Sequence, residues 1–293
     1  MQTPLAELGE DALVRRLLVH ACGNDALLTG PGDDCAVVQR DERWDTLLKT
    51  DVVVESVHFS PDTDPELIGR KALARPLSDI AAMGGIPEHA LITILASPGR
   101  PVALLEGLYR GIHQLAARFD ISLAGGETSG LPADGLVINV ALTGRVERGE
   151  AFLRSGGKVG DILCVSGRLG GSFASGRHLL FEPRIDLARK LRQLHLLPRA
   201  AMDLSDGLAT DLPRLAAASH CGAEIEPESL PLYPGCRVRQ ALCDGEDYEL
   251  LLSFAPEALP RLQEASLPIT PIGRLVAEGC GTPLSGGWQH FLS

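Results

Sequence analysis

Five short stretches of the 293-residue chain set carboxylates beside glycine or other small residues: GDDCA (32–36), KTD (49–51), LSD (77–79), GGET (125–128) and DLSDG (203–207). Asp33 and Asp34 follow a Pro-Gly turn, where both carboxylates can converge. Two like charges ~4 Å apart repel by about 4 kcal/mol at an effective dielectric of 20, and a cation relieves that cost. Each stretch also has a plain use. Gly-Asp-Asp is ordinary turn chemistry, Asp51 can end a strand, Asp79 can be a solvated helix acid, and Asp203 or Asp206 can cap the helix that follows. Taken together, they deliver acids repeatedly at the ends of apolar segments, with no basic cluster to neutralise them. Hard oxygen donors of this kind suit Mg²⁺, which keeps waters and is usually shared with substrate phosphates.

The chain has no G-x-x-x-x-G-K-[ST] loop and no kinase-type glycine loop with its lysine. If ATP is handled, its phosphates must be held by metals and backbone amides. GRLGGS (167–172) reads as a tight strand-to-helix connection whose amides can assist.

These acids need elements to aim them. Residues 5–20 have helical periodicity, and WDTLLKTDVVVES (44–56) is a β-branched strand. PELIGRKALARPLSDIAAMGG (65–85) starts with Pro and ends in Gly-Gly, as a helix does, with Pro76 expected to kink or break it. Strands are predicted at 89–96, 121–126 and 135–146, with an amphipathic helix over 101–119 between the first two. The second half repeats the alternation. A strand at 161–167 runs into a glycine turn and helix over 168–180. A short strand ends in the acids of 203–207, a helix covers 208–219, and a strand covers 247–254. A helix at 256–265 and a strand at 269–276 complete it. Alternating strands and helices indicate α/β and α+β layers. A boundary near residue 148 divides the chain into 1–148 and 149–293.

Composition excludes several function classes. Apolar residues at 45% and charged residues at 22% are ordinary for a globular protein. A net charge of −11 argues against nucleic-acid binding, and no uninterrupted apolar run reaches membrane-spanning length. The amphipathic, acidic N-terminal stretch is unlike a secretory signal. Seven scattered cysteines with no C-x-x-C pair suit neither a disulfide framework nor zinc, and reduced thiols in the cytoplasm are expected.

The order and content of these clusters resemble the thiamine-monophosphate kinase family, within the aminoimidazole-ribonucleotide-synthetase-like superfamily. The matching segments are GPGDDCAV, KTDVVVESVHF, RKALARPLSDIAAMGG, AGGETS, LRSGGKVGD, FEPRIDLARKL, MDLSDGLATDL, GEDYELLL and GWQHF, in family order across nearly the whole chain. The resemblance implies a two-domain fold of α/β and α+β character, whose N-terminal sheet pairs across a homodimer. It implies transfer of the γ-phosphoryl group of ATP to thiamine phosphate, giving thiamine diphosphate. Carried over, Asp34, Thr50, Asp51, Asp79, Asp203 and Asp206 are expected to hold Mg²⁺, with Glu127 at the matching aspartate position. Of these, Asp51, Asp79 and Asp206 are expected to be catalytic. Gly126, Glu127, Arg154 and Ser205 are expected to contact ATP. His58, Glu246 and Trp288 are expected to surround thiamine phosphate. No general base is required, since the attacking phosphate oxygen is already ionised, and cations with positioning do most of the work.

Three features depart from the family pattern. Lys49 stands where the family usually has a metal-binding serine, Glu127 replaces an aspartate, and the chain is short between SGRLGGS and MDLSDG. Lys49 is expected either to swing into solvent or to substitute for one Mg²⁺, pairing with Asp34 or a nucleotide phosphate. The rival readings are a related ATP-dependent synthetase and a catalytically weak nucleotide- or thiamine-phosphate-binding protein. A selenophosphate synthetase is expected to carry a reactive cysteine in a glycine-rich N-terminal segment, and Cys22, the first here, has no such context.

Overall fold

A computed structural model of the protein describes residues 4–288 and 291; Gln289 and His290 of the closing GWQHF segment lie outside them. The N-terminal half forms α1 (Leu5–Leu8), α2 (Glu10–Leu18), β1 (Leu27–Thr29), β2 (Ala36–Gln39), β3 (Trp44–Val54), α3 (Pro65–Ala82), β4 (Ile86–Ala96), α4 (Val102–Arg118), β5 (Ser122–Gly130) and β6 (Leu136–Glu147). The C-terminal half adds β7 (Ile162–Val165), α5 (Ile185–Gln193), β8 (Ala200–Asp203), α6 (Leu208–Ala218), β9 (Cys221–Ile225), α7 (Val238–Cys243), β10 (Leu250–Phe254), α8 (Leu259–Glu264) and β11 (Thr270–Ala277). Among the described residues, no helix is long and apolar enough to cross a membrane.

Two sheets result. The first has the order β1-β2-β3-β6-β4-β5, antiparallel except for the parallel β4–β5 pair, and the second has the antiparallel order β8-β10-β7-β11-β9. Helix α3 lies between them, touching β3 and β6 on one side and β8 and α5 on the other. Its start is well specified: Asp64 accepts a hydrogen bond from the Glu66 amide at 2.8 Å, and Pro65 occupies the first turn, where its missing N–H costs nothing. The helix continues through Pro76 to Ala82 without the expected break. Because α3 faces both sheets, one apolar core runs through both halves, joining Leu47, Ile80 and Val140 to Cys164, Ala201 and Leu252. On β10, Leu250 and Leu252 enter this core and Leu251 enters a second one under α6, as a period of two requires.

Several expectations change. The helix predicted over 5–20 is split at Gly9 into α1 and α2. The segment 168–180 forms turns and one short 3₁₀ turn at Arg177–Leu179, not a helix. Gly170 and Gly171 have φ of 92° and 67°, and their amides are taken by Asp247 and Asp244 instead of a helical ladder. GGET lies inside β5, which runs on to Gly130, and Asp51 lies in mid-β3, not at its end. Asp206 does not cap α6, whose N-cap is Gly207 without a side-chain bond. Periodicity also left β1, β2, β9, α5 and α7 unread, most of them five residues or shorter or broken by polar positions.

Candidate active site

Helix α3 presents Lys71, Arg75 and Asp79 at spacing i, i+4, i+8, so one stripe crosses the crevice between the sheets. Eight residues at 1.5 Å rise span about 12 Å. A cavity lies at the Lys71 and Arg75 end, and an acid cluster lies at the Asp79 end.

At the cluster, Asp34, Asp79 and Asp203 each contribute a carboxylate oxygen, all within 4.8 Å of one another, and all three residues are buried. Asp34 is carried just before β2, Asp79 on α3 and Asp203 at the end of β8, so the group exists only because α3 brings the two sheets together. Ser78 donates to Asp203 Oδ2 at 2.7 Å, and Arg154 donates from Nε to Asp34 Oδ1 at 3.1 Å. Burial and the adjacent Asp34 charge push the Asp203 carboxyl up to about 7, and burial, with the other acids, drives Asp79 upward despite Lys49. Asp34 Oδ2 is buried with no hydrogen-bond partner. An orphan oxygen within a set of hard carboxylate donors fits a divalent oxygen-seeking cation such as Mg²⁺.

Asp33 is not part of that cluster, although both it and Asp34 engage Arg154. Asp33 instead accepts the Arg154 backbone amide at 3.0 Å, pinning the segment that joins the two halves. Burial and Asp34 raise the Asp33 carboxyl to about 6. Lys49 neither swings out nor pairs with Asp34. Its ammonium donates to Asp79 Oδ1 at 2.7 Å and lies 3.9 Å from Asp51. Burial opposes that charge, but Asp79 and Asp51 outweigh it and hold the ammonium firmly protonated. Arg75 donates to the Val52 carbonyl at 2.6 Å and approaches Asp51 to 3.8 Å.

At the other end, Val57, His58, Arg75, Phe173, Ser205, Asp206, Asp244, Glu246, Tyr248 and Trp288 line a cavity of about 210 Å³. The three expected substrate residues thus meet in one place, beside the expected Ser205 and Asp206. His58 Nδ1 accepts the Val54 amide at 3.0 Å. Glu246 sits at φ 56°, held there by its amide donating to the Ser205 carbonyl at 2.7 Å; such backbone is costly and clusters at working sites. Lys71, fully buried, donates to the His58 carbonyl at 2.5 Å, to Glu246 Oε2, and lies 2.7 Å from His178 Nδ1. Burial lowers its ammonium to about 8. Glu246 is part-buried, and the His178 and Lys71 contacts outweigh the resulting desolvation and hold it down at about 2. Trp288 arrives on the tail after β11: its amide donates to the Asp206 carbonyl at 2.9 Å. The tail fits because Gly287, at φ 86°, has no side chain; a Cβ there would stand 2.0 Å from Thr210 Oγ1.

Not every expected residue joins this track. Thr50 lies on the opposite face of β3 from Lys49 and Asp51, its hydroxyl donating to Asn139 at 3.0 Å. Gly126 and Glu127 lie on edge strand β5. The row Asp51–Val140–Ile92–Gly126 puts them three strands from β3, or about 14 Å at ordinary strand spacing. Arg214 donates to Asp206 Oδ2 at 2.6 Å. Sequence reading missed Lys71, Arg75, His178, Phe173 and Asp211. Asp211 is fully buried and accepts the Ser205 and Asp206 amides at 3.0 and 2.9 Å, fixing the DLSDG turn. Only the i, i+4, i+8 spacing of Lys71, Arg75 and Asp79 within the apolar run of α3 after Arg70 could have signalled the first two.

Residues 32–146 match the AIR synthase related protein N-terminal domain, and residues 155–281 the corresponding C-terminal domain. The chain is 39% identical to the thiamine-monophosphate kinase of Rhodopirellula baltica, over 90% of this chain and 86% of that protein. It is 35% identical to that of Escherichia coli strain K12, covering 97% of both. The chain belongs to the thiamine-monophosphate kinase family. A solved structure of AaThiL complexed with AMPPCP and TMP superposes with a TM-score of 0.85 at 30% identity, covering 99% of each chain. The hydrogenase maturation protein HypE of E. coli, at 23% identity and a TM-score of 0.70, shares the fold. The two-domain fold of α/β and α+β layers expected from the sequence is therefore that of the thiamine-monophosphate kinases.

Proposed function

We propose that this protein transfers the γ-phosphoryl group of ATP to the phosphate of thiamine phosphate, giving thiamine diphosphate and ADP. The observation that carries this reading is the α3 stripe. It links a cavity holding His58, Glu246 and Trp288 to a buried three-aspartate cluster in a chain of the thiamine-monophosphate kinase family.

In this reading Asp34, Asp79 and Asp203 hold Mg²⁺, with Asp51 beside them and Asp206 at the cavity end. The ion supplies positive charge that offsets phosphate–phosphate repulsion and the charge on the transferred group. The chain's own residues do the rest. Arg75, between cavity and cluster, draws the acceptor phosphate toward the nucleotide. Arg154 is placed to exchange Asp34 for an ATP phosphate, since a guanidinium suits either. Ser205, fixed through Asp211, lends a rigid turn to the same place. Glu246 faces the positively charged end of the acceptor. The acceptor oxygen is ionised at neutral pH, so no residue need remove a proton.

The reading includes a homodimer formed through the outer face of the first sheet, where Leu48, Val52 and Leu91 are exposed. Edge strand β5 is otherwise open to pairing. Gly126 and Glu127, remote from the cluster of their own chain, then belong to the partner's nucleotide site. The domain division at 148/149 is supported by the first sheet ending at Glu147 and the second starting at Ile162. Incubation with ATP, Mg²⁺ and thiamine phosphate tests the reading: thiamine diphosphate and ADP are expected in equal amounts, and ATP consumed without thiamine diphosphate overturns it.

A further inference from the structure

Phe173 leaves 49% of its surface exposed. A lone exposed apolar side chain is ordinary, so exposure carries nothing. Its setting does. The loop that bears it is fastened on both sides. The Gly170 amide donates to Asp247 Oδ2 at 3.0 Å, the Gly171 amide donates to Asp244 Oδ2 at 3.0 Å, and Arg177 donates to Asp247 Oδ1 at 2.6 Å. One side of the ring is stacked on the buried His178, with centroids 4.3 Å apart and planes 18° from parallel. His178 Nδ1 in turn lies 2.7 Å from Lys71 and 3.1 Å from Glu246. Ring and carboxylate are therefore mounted on one support, and both line the cavity together with Trp288.

We propose that Phe173 is a specificity-determining residue, whose ring forms the wall against which the flat cationic ring of thiamine phosphate lies. This rests on the function proposed above. An aromatic face attracts a delocalised cation, more strongly where water is excluded, and offset stacking adds to area burial. Carboxylates of Glu246, Asp206 and Asp244 line the same cavity; Lys71, whose ammonium lies 5.9 Å from the Phe173 centroid, offsets Glu246 and Arg214 offsets Asp206, so Asp244 is the acid that adds negative field beside the ring. The anionic end is left to Arg75, toward the aspartate cluster. A neutral ring of the same shape would lose the first of these attractions.

The test compares wild type with Phe173→Leu, which keeps an apolar cover over His178 but removes the aromatic face, and with Phe173→Tyr, which restores that face. Thiamine phosphate affinity is read from steady-state KM and, without ATP, from quenching of tryptophan emission. Phe173→Leu is expected to weaken both by about tenfold, the size of a partly desolvated cation–π contact. Its KM for ATP and its kcat should stay within about twofold, and Phe173→Tyr should match wild type. If wild type forms thiamine diphosphate and Phe173→Leu binds thiamine phosphate equally well, the inference is wrong. Loss of kcat and ATP affinity in step, with no recovery in Phe173→Tyr, also overturns it, since that marks a ring needed only for folding. Failure of wild type to form thiamine diphosphate would sink the function reading, while the quenching titration would still judge the aromatic wall.

Discussion

Lys49 on β3 donates a hydrogen bond to Asp79 on α3 at 2.7 Å, placing a fixed positive charge in the acid cluster. The ammonium holds the same carboxylate that a divalent cation would use. Metal binding must therefore displace Lys49 or proceed on Asp34 and Asp203 with Asp79 already neutralised. Lys49→Ser removes the competitor and adds a neutral oxygen. Rate against free Mg²⁺ should then become more steeply dependent on the ion, and Mn²⁺ binding followed by electron paramagnetic resonance should tighten several-fold. Superimposable curves in both measurements would mean that the pairing has no bearing on the metal.

Asp51 stands between Lys49 at 3.9 Å and Arg75 at 3.8 Å. Asp51→Asn keeps the shape and removes the charge. Lys49 retains Asp79, and Arg75 retains the Val52 carbonyl, so neither cation is stranded. Turnover should fall by more than tenfold, as for other contacts to transition-state charge, with the melting temperature nearly unchanged. A variant keeping most of its turnover would remove Asp51 from the catalytic set.

Lys71, fully buried, and Glu246, part-buried, form a pair across the crevice between the two sheets. Lys71→Met keeps the stem but leaves Glu246 and His178 facing each other without the ammonium. Breaking a buried pair from one side costs about 3 kcal/mol or more, and denaturant unfolding should show that loss.

The same pair sets an acid limit. Glu246 is held at about 2, below its ordinary 4.5. A depressed carboxyl contributes stability fully above the unfolded value and loses it as pH falls toward the folded one. The contribution should therefore be complete above about 4.5 and disappear toward about 2. In Lys71→Met that acid limb should move upward, and unchanged limbs in melting curves against pH would refute the coupling. On the alkaline side, Lys71 loses its proton near 8, where it faces Glu246, His178, the His58 carbonyl and, at longer range, Arg75. Loss of that ammonium leaves the Glu246 carboxylate uncompensated beside the cationic end of the acceptor, so KM for thiamine phosphate should fall above that pH while KM for ATP does not change.

Light scattering checks the assembly. Leu48, Val52 and Leu91 are 43%, 39% and 49% exposed on the outer face of the first sheet. A particle of twice 31.1 kDa is expected at micromolar concentration, and a stable monomer would remove the partner's Gly126 and Glu127 from the nucleotide site.

The sequence by itself determined the long elements and the identity of the chemistry. Strands β3, β4 and β6 and helices α3 and α4 follow from hydrophobic period and from end signals such as Asp64-Pro65, because those signals act within a few residues. The acids of the cluster and the trio His58, Glu246 and Trp288 were legible from their motifs. Tertiary structure decided what each side chain does. Asp34 meets Arg154 across 120 residues, and Lys71 meets Glu246 across 175, contacts that no local pattern encodes. The strand alternation that turns Lys49 and Asp51 inward turns Thr50 outward, and the sheet order puts Glu127 three strands away. Phe173 became a cavity wall only because Asp244 and Asp247 hold a glycine loop out of the helix that its sequence suggested. Periodicity fixes the local path of the chain, whereas burying α3 between two sheets fixes which distant charges must share one crevice.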